Sequence, residues 1–148
     1  MTDYTTLNLQ LGWLTKNVPH RIANLANAAA LLYHTLPDLN WAGFYMLEGE
    51  KLILGPFQGK TACIEIPVGK GVCGTAVAEG KTQVVADVHK FPGHIACDNA
   101  SNSEIVIPIH VSDKIWGVLD IDSPTIGRFS DKDKIGLENF VKILENVL

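Results

Sequence analysis

The sequence predicts an α+β domain, with a central, mostly antiparallel sheet and N- and C-terminal helices packed on one of its faces. Two observations support this fold class. Apolar residues recur at helical spacing near both ends of the chain, and two strand-turn-strand patterns lie between them. The chain has 148 residues, of which 47% are hydrophobic and 19% charged. These values fit a single domain over residues 1–148 that buries a substantial core.

Two helices are predicted between about residues 7 and 35. The apolar positions that follow helical spacing are Leu7, Leu11, Leu14, Ile22, Leu25, Ala29 and Leu32. Pro19 is expected in the first turn of the second helix, where a proline removes no intrahelical hydrogen bond.

Three strands are predicted next. Residues 41–47 and 51–57 are apolar and aromatic runs on either side of a glycine-containing turn, which is typical of a hairpin. Residues 63–68 predict a short strand, and Pro67 places it at a sheet edge or strand end.

The middle of the chain predicts a short helix and a long loop. Residues 69–80 form a glycine-rich turn that enters a helix ended by Gly80. The Gly-x-Gly-x-x-Gly string formally matches a dinucleotide fingerprint, but no βαβ unit follows it. An extended run covers 83–87, and residues 89–102 show no regular period. Connections of that length are usually functional or disordered.

A second hairpin and a last helix complete the prediction. Residues 104–109 and 114–122 flank a tight turn at 111–113. Ser130 is expected to cap the final helix, since two aspartates follow it in the first turn. The residues assigned to the apolar side of this helix are Ile135, Phe140, Ile143 and Leu144.

Charge and composition exclude several classes of function. The formal net charge is -4 and basic residues stand alone, so neither nucleic acid nor an anionic membrane is expected as a partner. The N-terminus lacks the pattern of a signal peptide, and no apolar run is long enough to span a bilayer. We therefore expect a cytoplasmic protein. In that reducing compartment, three cysteines indicate buried side chains, metal ligands or redox chemistry.

The three cysteines differ in their surroundings. Cys97 lies in the irregular loop with His89 and His94 nearby, a context that favours a reactive thiolate. Cys73 stands just inside the predicted short helix, where free amide groups favour an anion, although tight packing between glycines explains it equally well. Cys63 has the weakest individual case, but it could trap an oxidised neighbour as a disulfide.

A metal site receives little support. His89, His94, Cys97 and Asp98 offer suitable donor atoms, but the spacing His-x4-His-x2-Cys matches no compact zinc motif. An irregular loop alone rarely fixes tetrahedral geometry, so no metal is expected.

Acidic and aromatic residues share strand faces. Asp120 and Asp122 alternate along one strand and so point to the same side, and Glu104 begins the partner strand. Three acids suit an ammonium group, and one acid kept protonated could serve as a general acid. Trp41 and Tyr45 also share a face; they are either core aromatics or walls around a small methyl or sulfonium-like group.

Many segments from residue 40 onward resemble the free methionine-(R)-sulfoxide reductases, single-domain enzymes built on the GAF fold. The matching stretches are 40–45, 54–60, 62–64, 66–75, 87–89, 91–98, 103–106 and 117–124, together with the cysteine spacing.

The resemblance implies a GAF-like fold and reduction of free methionine-(R)-sulfoxide with no cofactor. It gives Cys97 the nucleophilic role, and Cys63 and Cys73 a part in resolving disulfides. It places Trp41 and Tyr45 around the substrate methyl group and Glu104, Asp120 and Asp122 on the amino group and the sulfoxide. A thioredoxin-type reductant and a homodimer are also expected. The alternative function is a non-catalytic GAF module that senses a small molecule or redox state.

Overall fold

The structure is a computed structural model that describes residues 2–95 and 97–148. The helices are α1 (Tyr4–Thr15), α2 (Arg21–Thr35), α3 (Gly71–Glu79) and α4 (Asp131–Glu145), with one 3-10 turn at Val88–Lys90. The strands are β1 (Trp41–Glu48), β2 (Lys51–Gly59), β3 (Glu65–Pro67), β4 (Gln83–Val85), β5 (Ser103–Val111) and β6 (Lys114–Ser123).

All six strands form one sheet in the order β3-β2-β1-β6-β5-β4, and every neighbouring pair is antiparallel. Two hairpins, β1–β2 and β5–β6, therefore make up most of the sheet, as the sequence predicts. The pairing of β1 with β6 joins the two hairpins at the centre. This topology confirms the predicted α+β class.

The sheet separates two hydrophobic cores. Helices α1, α2 and α4 pack on one face, where Leu11, Leu25 and Phe140 are fully buried against the sheet residues Phe44 and Ile121. Burial of each such side chain stabilises the fold by about 1.5–3 kcal/mol. The other face carries α3 and a second core, in which aromatic and polar side chains mix.

The start of α4 is fixed by a capping box. Ser130 accepts a hydrogen bond from the Asp133 amide, and the Asp133 carboxylate accepts one from the Ser130 amide at 2.8 Å. The same carboxylate accepts hydrogen bonds from Tyr4 of α1 at 2.6 Å and from Arg128 at 3.1 Å. The prediction of Ser130 as N-cap is thus confirmed, and Asp133 also ties α1 to α4.

Some helix predictions are wrong in detail. Ile135, Ile22 and Leu14 were assigned to apolar faces, yet they are 60%, 71% and 43% exposed. The buried residues of α4 include the predicted Phe140 and Leu144 but not Ile135; they are Asp133, Gly136, Leu137, Phe140, Val141 and Leu144. Pro19 lies before the N-cap residue His20 rather than in the first turn of α2. Periodicity alone sets the phase of a helix face only to within about one position.

The other local predictions differ only in their limits. The third strand is limited to β3 at the sheet edge, and Gly80 ends α3 with a left-handed backbone, φ 65°. The described part of the loop 89–102 contains no helix or strand beyond the 3-10 turn, while Ala96 lies outside the described residues. Within the described ranges, no helix is both long and apolar enough to cross a membrane.

Candidate active site

The site is built on the sheet face opposite α1, α2 and α4. Asp122 of β6 lies in register with Trp41 of β1 on one side and with Glu104 of β5 on the other. Asp120, two residues earlier, and Tyr45, four residues after Trp41, point to the same face because strand side chains alternate. The five predicted sheet residues therefore meet on one surface.

Helix α3 and the described part of the loop after β4 cover this surface and leave a cavity of about 40 Å³. The residues that line it are Trp41, Tyr45, Thr61, Ala62, Ile66, Gly71, Val72, Cys73, His94, Ile95, Cys97, Asp98, Ser101, Glu104, Asp120 and Asp122. Such a mixture of apolar walls and converging polar groups is typical of a small-molecule site.

One wall of the cavity is aromatic. The rings of Trp41 and Tyr45 are stacked with their centroids 5.9 Å apart, and the rings of Trp41 and Phe57 of β2 are stacked at 5.2 Å. The Trp41 indole donates a hydrogen bond to the Lys60 carbonyl at 3.1 Å. The Tyr45 hydroxyl donates one to the Cys63 carbonyl at 2.8 Å. Both rings are thus held in fixed positions.

Gly43 makes this wall possible, and the sequence analysis missed it. A Cβ atom added at this position would collide with the side chain of Phe57 and would lie 2.8 Å from the ring of Trp41. The absence of a side chain between two aromatic residues of one strand is the signal that could have identified it.

The opposite side of the cavity is acidic. Glu104 and Asp120 are each only 6% exposed. Burial is the main cause that raises the pKa of Glu104 well above its usual range, and the charges of Asp120 and Asp122 add to it. Burial also raises the pKa of Asp122 well above its usual range. The pKa of Asp120 is raised by burial as well, but less, because neighbouring groups donate hydrogen bonds to this carboxylate. The cluster therefore retains a proton to a higher pH than isolated carboxyl groups would.

The two histidines of the loop have different positions. His94 lines the cavity, with Nε2 3.9 Å from Oε1 of Glu104, and burial lowers its pKa. His89 is 65% exposed in its side chain and pairs with Asp87 at 2.8 Å. Asp98 accepts a hydrogen bond from Asn40 at 3.1 Å. The structure therefore does not assemble the loop donors considered above into one metal centre.

Two of the three cysteines are joined. Cys63 and Cys97 form a disulfide, with their Cα atoms 5.5 Å apart across a sequence separation of 34 residues. Both residues are partly buried, and Cys97 lines the cavity. Cys63 has the weakest individual case from its sequence surroundings, whereas in the structure it is the disulfide partner of Cys97.

Cys73 remains a thiol and is buried, with 3% exposure, in the first turn of α3. Burial raises the pKa of this thiol well above its usual value, and the carboxylates of Asp120 and Glu104 raise it further. Of the two interpretations of Cys73 from the sequence, the structure contradicts the activated thiolate and agrees with the tightly packed side chain. Removal from water and two nearby acids outweigh the partial charge of one helix end.

The loop that carries Cys97 is anchored to the sheet through a residue the sequence analysis did not select. The Asn40 side chain donates hydrogen bonds to Asp98 and, at 3.0 Å, to the hydroxyl of Ser101. The backbone N–H of Asn40 donates a hydrogen bond to the backbone carbonyl of Asp122 at 3.0 Å. Asn40 thus connects the segment after Cys97 to the acidic strand.

Several known proteins are similar to this chain over most of its length. A family model described as GAF domain matches residues 20–148. A relative from Escherichia coli (strain K12), named free methionine-R-sulfoxide reductase, is 58% identical over 98% of this chain and 88% of its own length. A protein of the same name from Saccharomyces cerevisiae is 50% identical over 83% of this chain and 73% of its own length.

A solved structure of fRMsr from Staphylococcus aureus in complex with substrate has a TM-score of 0.96 and 59% identity. It covers 100% of this chain and 97% of that one. The fold, the cavity and the disulfide lie in a chain that is similar to these proteins throughout.

Proposed function

The chain belongs to the GAF-domain family and, within it, to the free methionine-R-sulfoxide reductases, and we propose that it reduces free methionine-(R)-sulfoxide with Cys97 as nucleophile. The position of the disulfide supports the roles proposed for the two cysteines. Cys97 is bonded to Cys63 at the edge of a cavity that also contains three buried carboxyl groups and a stacked aromatic wall.

The acidic cluster binds the amino group of the substrate. The Oδ1 atoms of Asp120 and Asp122 are buried and have no hydrogen-bond partner among the described residues. An α-ammonium group would satisfy them and would offset the cost of burying their charge. The rings of Trp41 and Tyr45 then contact the methyl group on sulfur, which carries partial positive charge in a sulfoxide.

The chemical step transfers oxygen from the substrate to Cys97. The Cys97 thiolate attacks the sulfoxide sulfur while a protonated carboxyl of the cluster donates a proton to the oxygen. Methionine leaves, and the oxygen ends on Cys97 as a sulfenic acid. The raised pKa of Glu104 supports a proton donor in the cluster at neutral pH.

Cys63 resolves the sulfenic acid. Its thiol attacks the Cys97 sulfur, a disulfide forms, and the oxygen leaves as water. Contact between Cys63 and Cys97 supports this choice over Cys73, which stays reduced in the same structure. A thioredoxin-type dithiol then regenerates both thiols, so we place the cycle in the reducing cytoplasm.

The same geometry explains a preference for the free amino acid. A peptide nitrogen carries no charge and donates one hydrogen bond, whereas the site offers Glu104, Asp120 and Asp122 to a single ammonium group. A methionine sulfoxide within a polypeptide would leave buried carboxylates unpaired, at a cost of about 1–3 kcal/mol for each.

We propose a homodimer that forms through the N-terminal helices. Leu9 and Trp13 lie one turn apart on α1 and are 61% and 77% exposed, and Ile22 at the start of α2 is 71% exposed. Light scattering on the wild type and Trp13→Glu tests this proposal. A monomeric wild type would contradict it.

The decisive experiment follows methionine production from each sulfoxide epimer with thioredoxin, thioredoxin reductase and NADPH. We expect multiple turnovers of the R epimer in the wild type and none in Cys97→Ser. Cys63→Ser should form about one equivalent of methionine quickly and then stall, with a sulfenic acid on Cys97 that dimedone traps.

His110→Gln, remote from the cavity, is the matched control and should keep wild-type turnover. A non-catalytic sensor would bind the sulfoxide without repeated product formation in the wild type. Full activity in Cys97→Ser would remove Cys97 from the nucleophilic role.

A further inference from the structure

We propose that Cys73, Glu104 and Asp120 form a binding site for a zinc-class divalent cation, and that this cation competes with the amino group of the substrate. The proposed redox cycle leaves Cys73 without a role. The cation site itself does not depend on the reductase activity, and only the competition rests on the proposed function.

One donor atom from each of the three residues, a sulfur and two carboxylate oxygens, lies within 4.8 Å of the other two. Ligand atoms around a tetrahedral zinc ion lie about 3.5 Å apart, given bonds of about 2.3 Å to sulfur and 2.1 Å to oxygen. Side-chain rotations that move the donor atoms by about 1 Å would therefore allow all three atoms to bind one ion.

A second observation indicates that the cluster faces a ligand. Asp120 lines the cavity and is only 6% exposed, and its buried Oδ1 atom has no hydrogen-bond partner in the described part of the chain. A buried carboxylate oxygen without a donor is costly, and a cation removes that cost. The cavity volume of about 40 Å³ leaves room for an ion and a water molecule beside it.

The donor set selects the class of metal. Magnesium and calcium prefer oxygen ligands alone, whereas a thiolate with two carboxylates suits zinc and cadmium. Three protein ligands leave the fourth position to water. His94 is a further neighbour of the cluster, since its Nε2 lies 3.9 Å from Oε1 of Glu104. Binding displaces the Cys73 proton to solvent, and a doubly charged ion compensates the carboxylates.

The site survives oxidation of the enzyme. With Cys63 and Cys97 joined, Cys73 is the remaining cysteine of the three and keeps its thiol. The oxidised protein therefore separates this site from adventitious capture of metal by the redox pair. The ion would occupy the carboxylates that hold the substrate ammonium, so zinc is expected to act as a competitive inhibitor.

The test uses the full chain with its Cys63–Cys97 disulfide intact and Cd²⁺ as the probe. We expect one equivalent of Cd²⁺ to produce a thiolate-to-cadmium charge-transfer band, which Zn²⁺ abolishes by displacement. Cys73→Ser should lose the band, and isothermal titration should show at least tenfold weaker binding of Cd²⁺ and Zn²⁺ by Cys73→Ser and by Glu104→Gln. Glu48→Gln, at the exposed end of β1, is the matched control and should bind as the wild type does.

Two further measurements use the wild type and so do not depend on the folding of a variant. In the wild type, the band intensity must correspond to one thiolate per chain, since only one is present. Methionine should raise the apparent dissociation constant of Cd²⁺ in proportion to its concentration. Absence of a band in the oxidised wild type, or unchanged affinity in folded Cys73→Ser, would overturn the site. A band unaffected by methionine would overturn the competition alone.

Discussion

Replacement of Glu104 by glutamine should stabilise the substrate-free protein increasingly as the pH rises, while it weakens substrate binding. Glu104 is 6% exposed and faces Asp120 and Asp122, and burial together with those charges raises its pKa well above the usual range. A glutamine has the shape of the protonated acid and keeps a hydrogen-bond donor. The variant therefore mimics the form of Glu104 that the fold prefers, and it never ionises.

The sign and size of the effect follow from proton linkage. Because the folded pKa of Glu104 is raised, its contribution to stability is fully present below the unfolded pKa of about 4.3 and is lost as the pH rises through the folded pKa. In that window the wild type loses about 1.4 kcal/mol per pH unit relative to the variant. For a chain of this length, about 1 kcal/mol changes the melting temperature by about 2–4 °C. The gap should thus widen by about 3–5 °C per pH unit.

Thermal unfolding of the wild type, Glu104→Gln and the exposed control Glu48→Gln from about pH 5 to about pH 8 measures this gap. Kinetics on the same samples should show a KM raised roughly ten- to a hundredfold in Glu104→Gln, since one charged hydrogen bond to the ammonium group is lost. A gap that stays constant or narrows with pH would refute the reasoning. It would mean that Glu104 is ionised and compensated in the folded protein.

Three further perturbations test the supports of the site. Gly43→Ala should raise the KM and lower stability by about 1–3 kcal/mol, measured by kinetics and denaturant unfolding, because the new Cβ collides with the aromatic wall. Asp133→Ala should lose about 2–4 kcal/mol in urea unfolding, since several donors lose their acceptor, whereas Asp131→Ala should lose less than half as much. Tyr45→Phe frees the Cys63 carbonyl and should slow disulfide formation in stopped-flow thiol assays.

Local patterns predicted most of the fold. Both hairpins follow from alternation of apolar residues around short turns, and the second turn is fixed by Ser112 and Asp113, which both adopt positive φ. The shared face of Asp120 and Asp122 follows from the same alternation. Apolar spacing alone does not identify every buried position of a helix. Ile135 fits the apolar spacing of α4, yet it is exposed and lies next to the buried residue Gly136.

The disulfide and the state of Cys73 could not be derived from local patterns. Cys63 and Cys97 are 34 residues apart, and their contact depends on how the loop after β4 folds over the sheet. From the sequence, activation of the Cys73 thiol by the start of α3 and tight packing between glycines explain this residue equally well. Its pKa is raised instead, because β5 and β6 place two acids beside it and the cavity excludes water. Both properties arise from elements that are distant in sequence.

The two faces of the sheet divide stability from chemistry. The buried carboxyl group of Glu104, the buried thiol of Cys73 and the unpartnered Oδ1 atoms of Asp120 and Asp122 lie on the face with α3, and each of them costs folding free energy. The opposite face is packed almost entirely by apolar side chains from α1, α2 and α4. Strands β1 and β6 at the centre belong to both faces, so residues such as Phe44 and Ile121 stabilise the same backbone that holds Trp41 and Asp120 in place. Stabilising substitutions in the apolar core should therefore leave the site intact, whereas those that relieve the acidic cluster should reduce substrate binding.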